Sequence, residues 1–183
     1  MSLQGNMLPT DEELAGELAS EGARRWWVIS TRARQEKALG NDMARVGIRY
    51  YLPLVAVKHT YEKCQATFHK PLFPGYVFLF GSHGACDEAR RTARVVSVLH
   101  VQDQTKLHIE LTHIQRALRS GRSVELYPAI KIGRRYRVTA GPLKNTEGVV
   151  VQQGRHHKMY VSVTMLGQSA ILEVDASLLE SVD

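Results

Sequence analysis

Lys70–Phe80, KPLFPGYVFLF, is the stretch whose reading decides the fold. It holds the aromatics Phe73, Tyr76, Phe78 and Phe80, two prolines, one glycine and a single charge at its start, Lys70. Pro71 and Pro74 cannot donate to a β ladder, so they mark an edge, a bend or the start of a strand. Tyr76-Val77-Phe78-Leu79-Phe80 then reads as a strand apolar on both faces. An antiparallel strand with one wet face alternates apolar with polar residues, and this one does not. Its second face needs a cover, from this chain or from another protein.

Upstream, WWVIST (Trp26–Thr31) reads as a strand rich in aromatic and β-branched residues. A helix follows over about Gln35–Val46, with Leu39, Met43 and Val46 on one face and Gly47 as its stop. IRYYLPLVAVKH gives one or two strands broken at Pro53, and ATFHKP another. Downstream lie a short helix near Cys86–Thr92, the strand VVSVLHV, and a helix in IELTHIQRALRSG with Leu111, Ile114 and Leu118 on one face. Helices interleaved with short strands predict an α+β layer, an antiparallel sheet with helices on one face. GRSVELYPA reads as a linker.

Beyond it the patterning changes. Met159, Val161, Val163 and Met165 alternate with Tyr160, Ser162 and Thr164, and Ala170, Leu172 and Val174 share a face. Short strands at close spacing with Gly and Asn at the turns predict a small all-β barrel. The expected organisation is an acidic flexible extension over 1–23, frayed or loosely helical, an α+β domain over 24–119, a linker over 120–129 and the barrel over 130–183. The 183 residues suffice for two such small domains, and 44% hydrophobic content suffices for a core.

The net charge is +6 and the pI about 9.5, which suits a negatively charged neighbour such as nucleic acid. The charge is concentrated: residues 24–127 hold 17 Lys and Arg against 8 Asp and Glu, whereas residues 1–23 hold five acids and no Lys or Arg. Cys64 and Cys86 have neither zinc-ligand spacing nor the count of a disulfide framework, so a reducing cytoplasm is the expected location. No apolar run approaches the roughly 18 residues that span a bilayer, and no membrane partner is expected. Phosphate-loop, dinucleotide, nucleophile-elbow and zinc-protease motifs are missing, the histidines are scattered, and neither an enzyme, a cofactor nor a metal is expected.

Two basic clusters stand out. Arg32, Arg34 and Lys37 fall where the first strand passes into the first helix, and Arg90, Arg91 and Arg94 form a second group. Guanidinium and ammonium groups suit phosphate contacts. Cations at a helix N-terminus oppose its dipole, which makes the first cluster the stronger candidate for nucleic acid. AGPLKNTEGVV (Ala140–Val150) joins the first two barrel strands, with Gly141 and Gly148 bracketing Pro142 and Asn145.

Taken together these segments resemble the NusG family of transcription elongation factors. WWVISTRARQEKAL is similar to the opening strand and helix of that family's N-terminal domain, and KPLFPGYVFLF to its LFPGYV signature. YRVTAGPLKNTEGVV resembles its KOW motif, and the remaining strands the rest of a KOW barrel. The resemblance covers about residues 25–183. It implies that an apolar patch on the N-terminal domain packs on the clamp helices of RNA polymerase and suppresses pausing. By motif that patch falls on Phe73, Tyr76 and Phe78, with Ser30 at the same strand edge; Tyr76 and Phe78 are expected to face the polymerase, with Val77 and Leu79 inward. Arg32, Arg34 and Lys37 map to the side near the upstream fork and the non-template DNA. The KOW barrel is expected to recruit Rho or a small-subunit ribosomal protein through a loop that maps here to Leu143, Lys144, Asn145, Thr146 and Leu166.

Family aromatics in that loop are replaced by Leu143, Thr146 and Leu166. The replacements point to a specialised, monomeric antitermination paralogue similar to RfaH-type proteins, but with a stable β barrel in place of an all-helical C-terminal domain. The housekeeping role in elongation and Rho-dependent termination is the alternative. A ribosomal or RNA-binding KOW protein would leave LFPGYVFLF unexplained.

Overall fold

A computed structural model describes residues 6–19, 24–61, 64–121, 124–128, 134–153 and 156–182. In chain order the elements are α1 (Asp11–Leu18), β1 (Arg25–Thr31), α2 (Glu36–Arg45), β2 (Arg49–Tyr51), β3 (Leu54–Tyr61), β4 (Cys64–Pro71), β5 (Tyr76–Gly81), α3 (His83–Arg90), β6 (Val95–Leu99) and α4 (Gln104–Arg119). Then come β7 (Glu125–Pro128), β8 (Arg134–Val138), β9 (Glu147–Gln153), β10 (His156–Val163), β11 (Gln168–Val174) and β12 (Leu179–Ser181). The chain forms two compact units, Met1–Leu52 with Phe73–His108, and Pro53–Leu72 with Ile109–Asp183.

The first unit is built on an antiparallel sheet of order β2-β5-β1-β6. The strand that opened the sequence reading, β5, is therefore central. Cross-strand pairing puts Arg49, Phe80 and Trp26 in one row, Tyr51, Phe78, Val28 and Leu99 in the next, and Tyr76, Ser30 and Ser97 in a third, all on one face. Tyr50, Leu79, Trp27, Val77, Ile29 and Val98 occupy the other.

Helices lie on both faces, not on one as expected. On the Tyr50 side α2 comes so close that a Cβ on Gly40 would fall 2.8 Å from the Tyr50 ring. On the Trp26 side, Gln104 at the start of α4 exchanges hydrogen bonds with the Trp26 backbone, its Oε1 accepting from Trp26 N at 2.6 Å. The His108 ring lies 6.1 Å from that of Trp26, and Glu13 of α1 accepts from Arg49 at 3.0 Å. The apolar run on both sides of β5 is the pattern of a central strand covered twice.

The acidic N-terminal segment, expected to be flexible, is a docked helix over its described part. Thr10 and Glu13 close a capping box, with Glu13 N donating to Thr10 Oγ1 at 3.1 Å and Thr10 N to Glu13 at 2.8 Å. Asp11 bonds His108 at 2.9 Å and Leu14 is buried. The acids serve as a helix start and as partners to basic residues of the sheet unit. Residues 1–5 and 20–23 lie outside the described residues.

The second unit contains the β3–β4 hairpin, paired from Leu54–Pro71 to Tyr61–Cys64, the later turns of α4, and an antiparallel sheet of order β12-β8-β9-β10-β11-β7. The predicted inward set is buried, Met159, Val161 and Val163 of β10 with Ala170, Leu172 and Val174 of β11, but Tyr160 and Ser169 of the other set are buried too, so the alternation is incomplete. Met165 leaves the pattern because Thr164–Leu166 tightens into a 3₁₀ turn ending at Gly167, φ +62°. The linker reading of 120–129 is corrected in its middle, where Glu125–Pro128 forms β7 and pairs with β11. An open β11 edge has unpaired backbone groups to satisfy, and this short extended segment supplies them.

Candidate interaction surfaces

At the signature segment, Tyr76 N donates to Phe73 O at 3.2 Å, and Gly75 has φ +82°. With Pro74 second and glycine third, this is a type II turn, and glycine, having no Cβ, sits at that φ without strain. The turn delivers Tyr76 to the first position of β5, opposite Ser30. Both are half-buried, and Ser97, the third member of their row, is exposed. Phe73 and Phe78 are not on this surface. They are 1% and 0% exposed, and their rings meet edge-on with centroids 6.0 Å apart. The expected exposed patch of Phe73, Tyr76 and Phe78 is thus corrected: core and surface are divided along the length of β5, not between its faces. Val77 to Phe80 are all buried, and only the Tyr76 end opens.

The same end carries the first basic cluster. Arg32, Arg34 and Lys37 are all exposed. Arg32 and Arg34 sit on a turn closed by Gln35 N to Arg32 O at 3.1 Å, with Arg34 in the left-handed region at φ +62°, and Lys37 follows in the first turn of α2. Arg32 N donates to Arg94 O at 2.9 Å, which ties this turn to the one before β6. The second cluster differs electrostatically. Arg90 is paired with Asp87, Arg91 with Glu88, and Arg94 with Asp42 at 2.6 Å. Arg94 also donates to Gln35. Arg32, Arg34 and Lys37 carry no ion pair among the described residues, so their charge is left to the surroundings. The two turns face a cavity lined by Arg32, Ala33, Gln35, Thr92, Ala93 and Arg94.

The loop expected to recruit a partner divides in a similar way. Leu143 and Thr146 are 3% and 0% exposed and cannot offer side chains to a partner, which corrects that part of the expectation. Lys144 and Asn145 are exposed and Leu166 is half-buried. Asn145 takes φ +64° and its N–H reaches Val138 O at 2.8 Å, which folds Leu143 inward. Next to the loop, a Cβ on Gly148 would stand 2.5 Å from the Tyr160 carbonyl, so only glycine fits. Arg116 of α4 donates to Asn145 O at 3.4 Å, and Thr164 donates to Glu110 through its backbone N at 3.0 Å and through its hydroxyl. His113, buried beside them, has its pKa lowered to about 4, first by burial and then by Arg116, against smaller opposing effects of Glu147 and the Asn145 backbone. Among the described residues no group of His, Cys, Asp and Glu could hold a metal ion, and no helix is long and apolar enough to cross a membrane.

Two residues that the sequence reading passed over belong to the open end of the first unit. One is Ser97, found only through its pairing with Ser30. The other is Glu36, 5% exposed, whose Oε1 accepts from Gly75 N at 2.7 Å. An acid in the first turn of a helix is ordinary, and nothing local marks this one as buried.

A sequence profile described as "Transcription termination factor nusG" matches residues 24–118, more than half of the chain. The chain therefore belongs to the NusG family of transcription factors. A solved structure of Thermotoga maritima NusG is similar in fold, with a TM-score of 0.50 at 18% identity over 87% of this chain and 98% of that one. Two conformations of the MjSpt4:Spt5 complex give TM-scores of 0.30 and 0.29 at 15% identity, covering 86% of this chain and 97% and 98% of theirs, likenesses too slight to build on. No curated protein matches the chain.

Proposed function

We propose that this chain is a non-enzymatic transcription elongation factor that binds the clamp helices of RNA polymerase, suppresses pausing and promotes antitermination. The observation that carries the reading is the open row Tyr76–Ser30–Ser97 beside the unpaired basic turn Arg32–Lys37. A rigid aromatic at the mouth of an otherwise closed core suits an interface anchor. Three cations with no ion pair among the described residues, close by, suit a phosphate backbone, which we assign to non-template DNA near the upstream fork. The polymerase-binding portion is residues 24–119, and 130–183 is the partner-recruiting portion, working through Lys144, Asn145 and Leu166. Burial of Leu143 and Thr146 leaves the KOW loop with little apolar surface, which favours a specialised paralogue over one that recruits Rho or a ribosomal protein through loop aromatics.

The test is in vitro transcription with purified RNA polymerase on a template carrying pause sites and a Rho-dependent terminator. Shortened pauses with read-through are the expected result. Enhanced termination with Rho would replace the specialised role by the housekeeping one. Association with ribosomes and none with polymerase would overturn the reading. Replacing Arg32, Arg34 and Lys37 together by Ala should weaken DNA binding at low salt and reduce the slope of log K against log salt by roughly 2 to 3.

A further inference from the structure

We infer that Glu36 is a positioning residue: its buried carboxylate locks the Phe73–Tyr76 turn and so holds the polymerase-facing and DNA-facing surfaces as one unit. The inference rests on the function proposed above.

A type II turn differs from a type I turn by a flip of its central peptide, which here is Pro74–Gly75. The glycine tolerates either setting, so the turn sequence alone leaves the flip weakly specified. In the observed setting the Gly75 N–H points away from the turn's own hydrogen bond and would be orphaned. Glu36 accepts it at 2.7 Å. The other half of the residue is held as well, because Gly75 O accepts from Thr31 N at 2.8 Å. One glycine is thus bonded on one side to β1, which carries Ser30, and on the other to α2, which carries Lys37.

The chemistry of the donor set agrees. A carboxylate that is 5% exposed is costly unless it is compensated. Gln35, at the cap of α2, makes no side-chain cap bond, so the first-turn amides of the helix and its positive end remain to favour an acid there. Loss of the clasp frees the Pro74–Gly75 peptide to flip, and Tyr76, the next residue, loses its fixed direction against Ser30.

The test uses the full chain with Glu36→Ala, Glu36→Gln and Glu36→Asp, and Tyr76→Ala as reference. Two quantities are read: hydrogen exchange of the Gly75 amide by NMR, and affinity for RNA polymerase. Glu36→Ala is expected to speed Gly75 exchange and weaken polymerase binding by about tenfold or more, the scale of a lost hydrogen bond to a charged group. Glu36→Gln keeps an acceptor at the same reach without the charge and should recover most of the exchange protection and affinity lost in Glu36→Ala. Glu36→Asp keeps the charge but is one methylene short; it should behave like Ala, and it serves in its place if Glu36→Ala does not fold. Unchanged exchange or unchanged affinity in the folded Ala or Asp protein overturns the inference, as does a Gln protein that fails to recover. Failure of the underlying function has a different signature. Tyr76→Ala would then bind polymerase as well as the parent while Gly75 exchange still followed residue 36, and the positioning role would fall with it.

Discussion

Phe78 and Tyr76 are two residues apart on one face of β5, yet the first is core and the second opens to the surface. Phe78 is 0% exposed between Val28 and Tyr51, so Phe78→Ala should cost about 3–5 kcal/mol in urea unfolding. Tyr76→Ala should leave stability nearly unchanged and reduce polymerase affinity by more than tenfold, as expected of a central aromatic anchor. Gly148 belongs to a third kind. A methyl group there meets the Tyr160 carbonyl at 2.5 Å, which is backbone and cannot swing aside. Gly148→Ala should destabilise the β-rich unit by about 1–3 kcal/mol, read as a lower urea midpoint. The sequence announced the glycine through its motif and announced the aromatics through their size. It was silent on which aromatics are covered, because the cover comes from residues as distant as Gln104 and His108. A strand sealed twice by its own chain and a strand awaiting a partner have the same local composition.

Among the elements, strands and helices followed from period and punctuation, since Pro53, Gly47 and the alternation over Met159–Val163 act locally. The misread elements were those whose state is fixed at long range. β7 exists because β11 has an edge to fill, and α1 is ordered because Asp11 and Glu13 find His108 and Arg49. The capping box gives α1 a local reason to form as well. The Glu13 carboxyl is held below its ordinary pKa, first by the Thr10 backbone N–H and then by Arg49. Thr10→Ala removes the hydroxyl that accepts from Glu13 N and should cost about 1 kcal/mol of local helix stability, seen as faster amide exchange over Asp11–Leu18 with the sheet unaffected.

For the whole molecule, His113 ties stability to pH. Its pKa is about 4 in the folded state, below the 6.5 of an unhindered imidazole, so the unfolded chain binds the proton more readily. Above pH 6.5 both states are neutral there and nothing is lost. As pH falls from about 6.5 toward 4 the unfolded state gains, and stability should drop by about 2 kcal/mol between pH 7.5 and pH 5. Unfolding curves of the parent and of His113→Gln should diverge over that window and run parallel above it. The placement of the two tryptophans makes such measurements unusually easy to divide. Both stand on β1, Trp26 at 1% exposure against Phe80, and Trp27 on the opposite face with its Nε1 donating to Gly81 O at 3.0 Å. Indole emission is therefore a lamp on one strand, and the β-rich unit is dark. A denaturation followed by fluorescence reports the first unit alone, whereas far-ultraviolet dichroism reports both. Coincident curves would mean that the units unfold as one, and separated curves would give each its own stability from a single unlabelled sample.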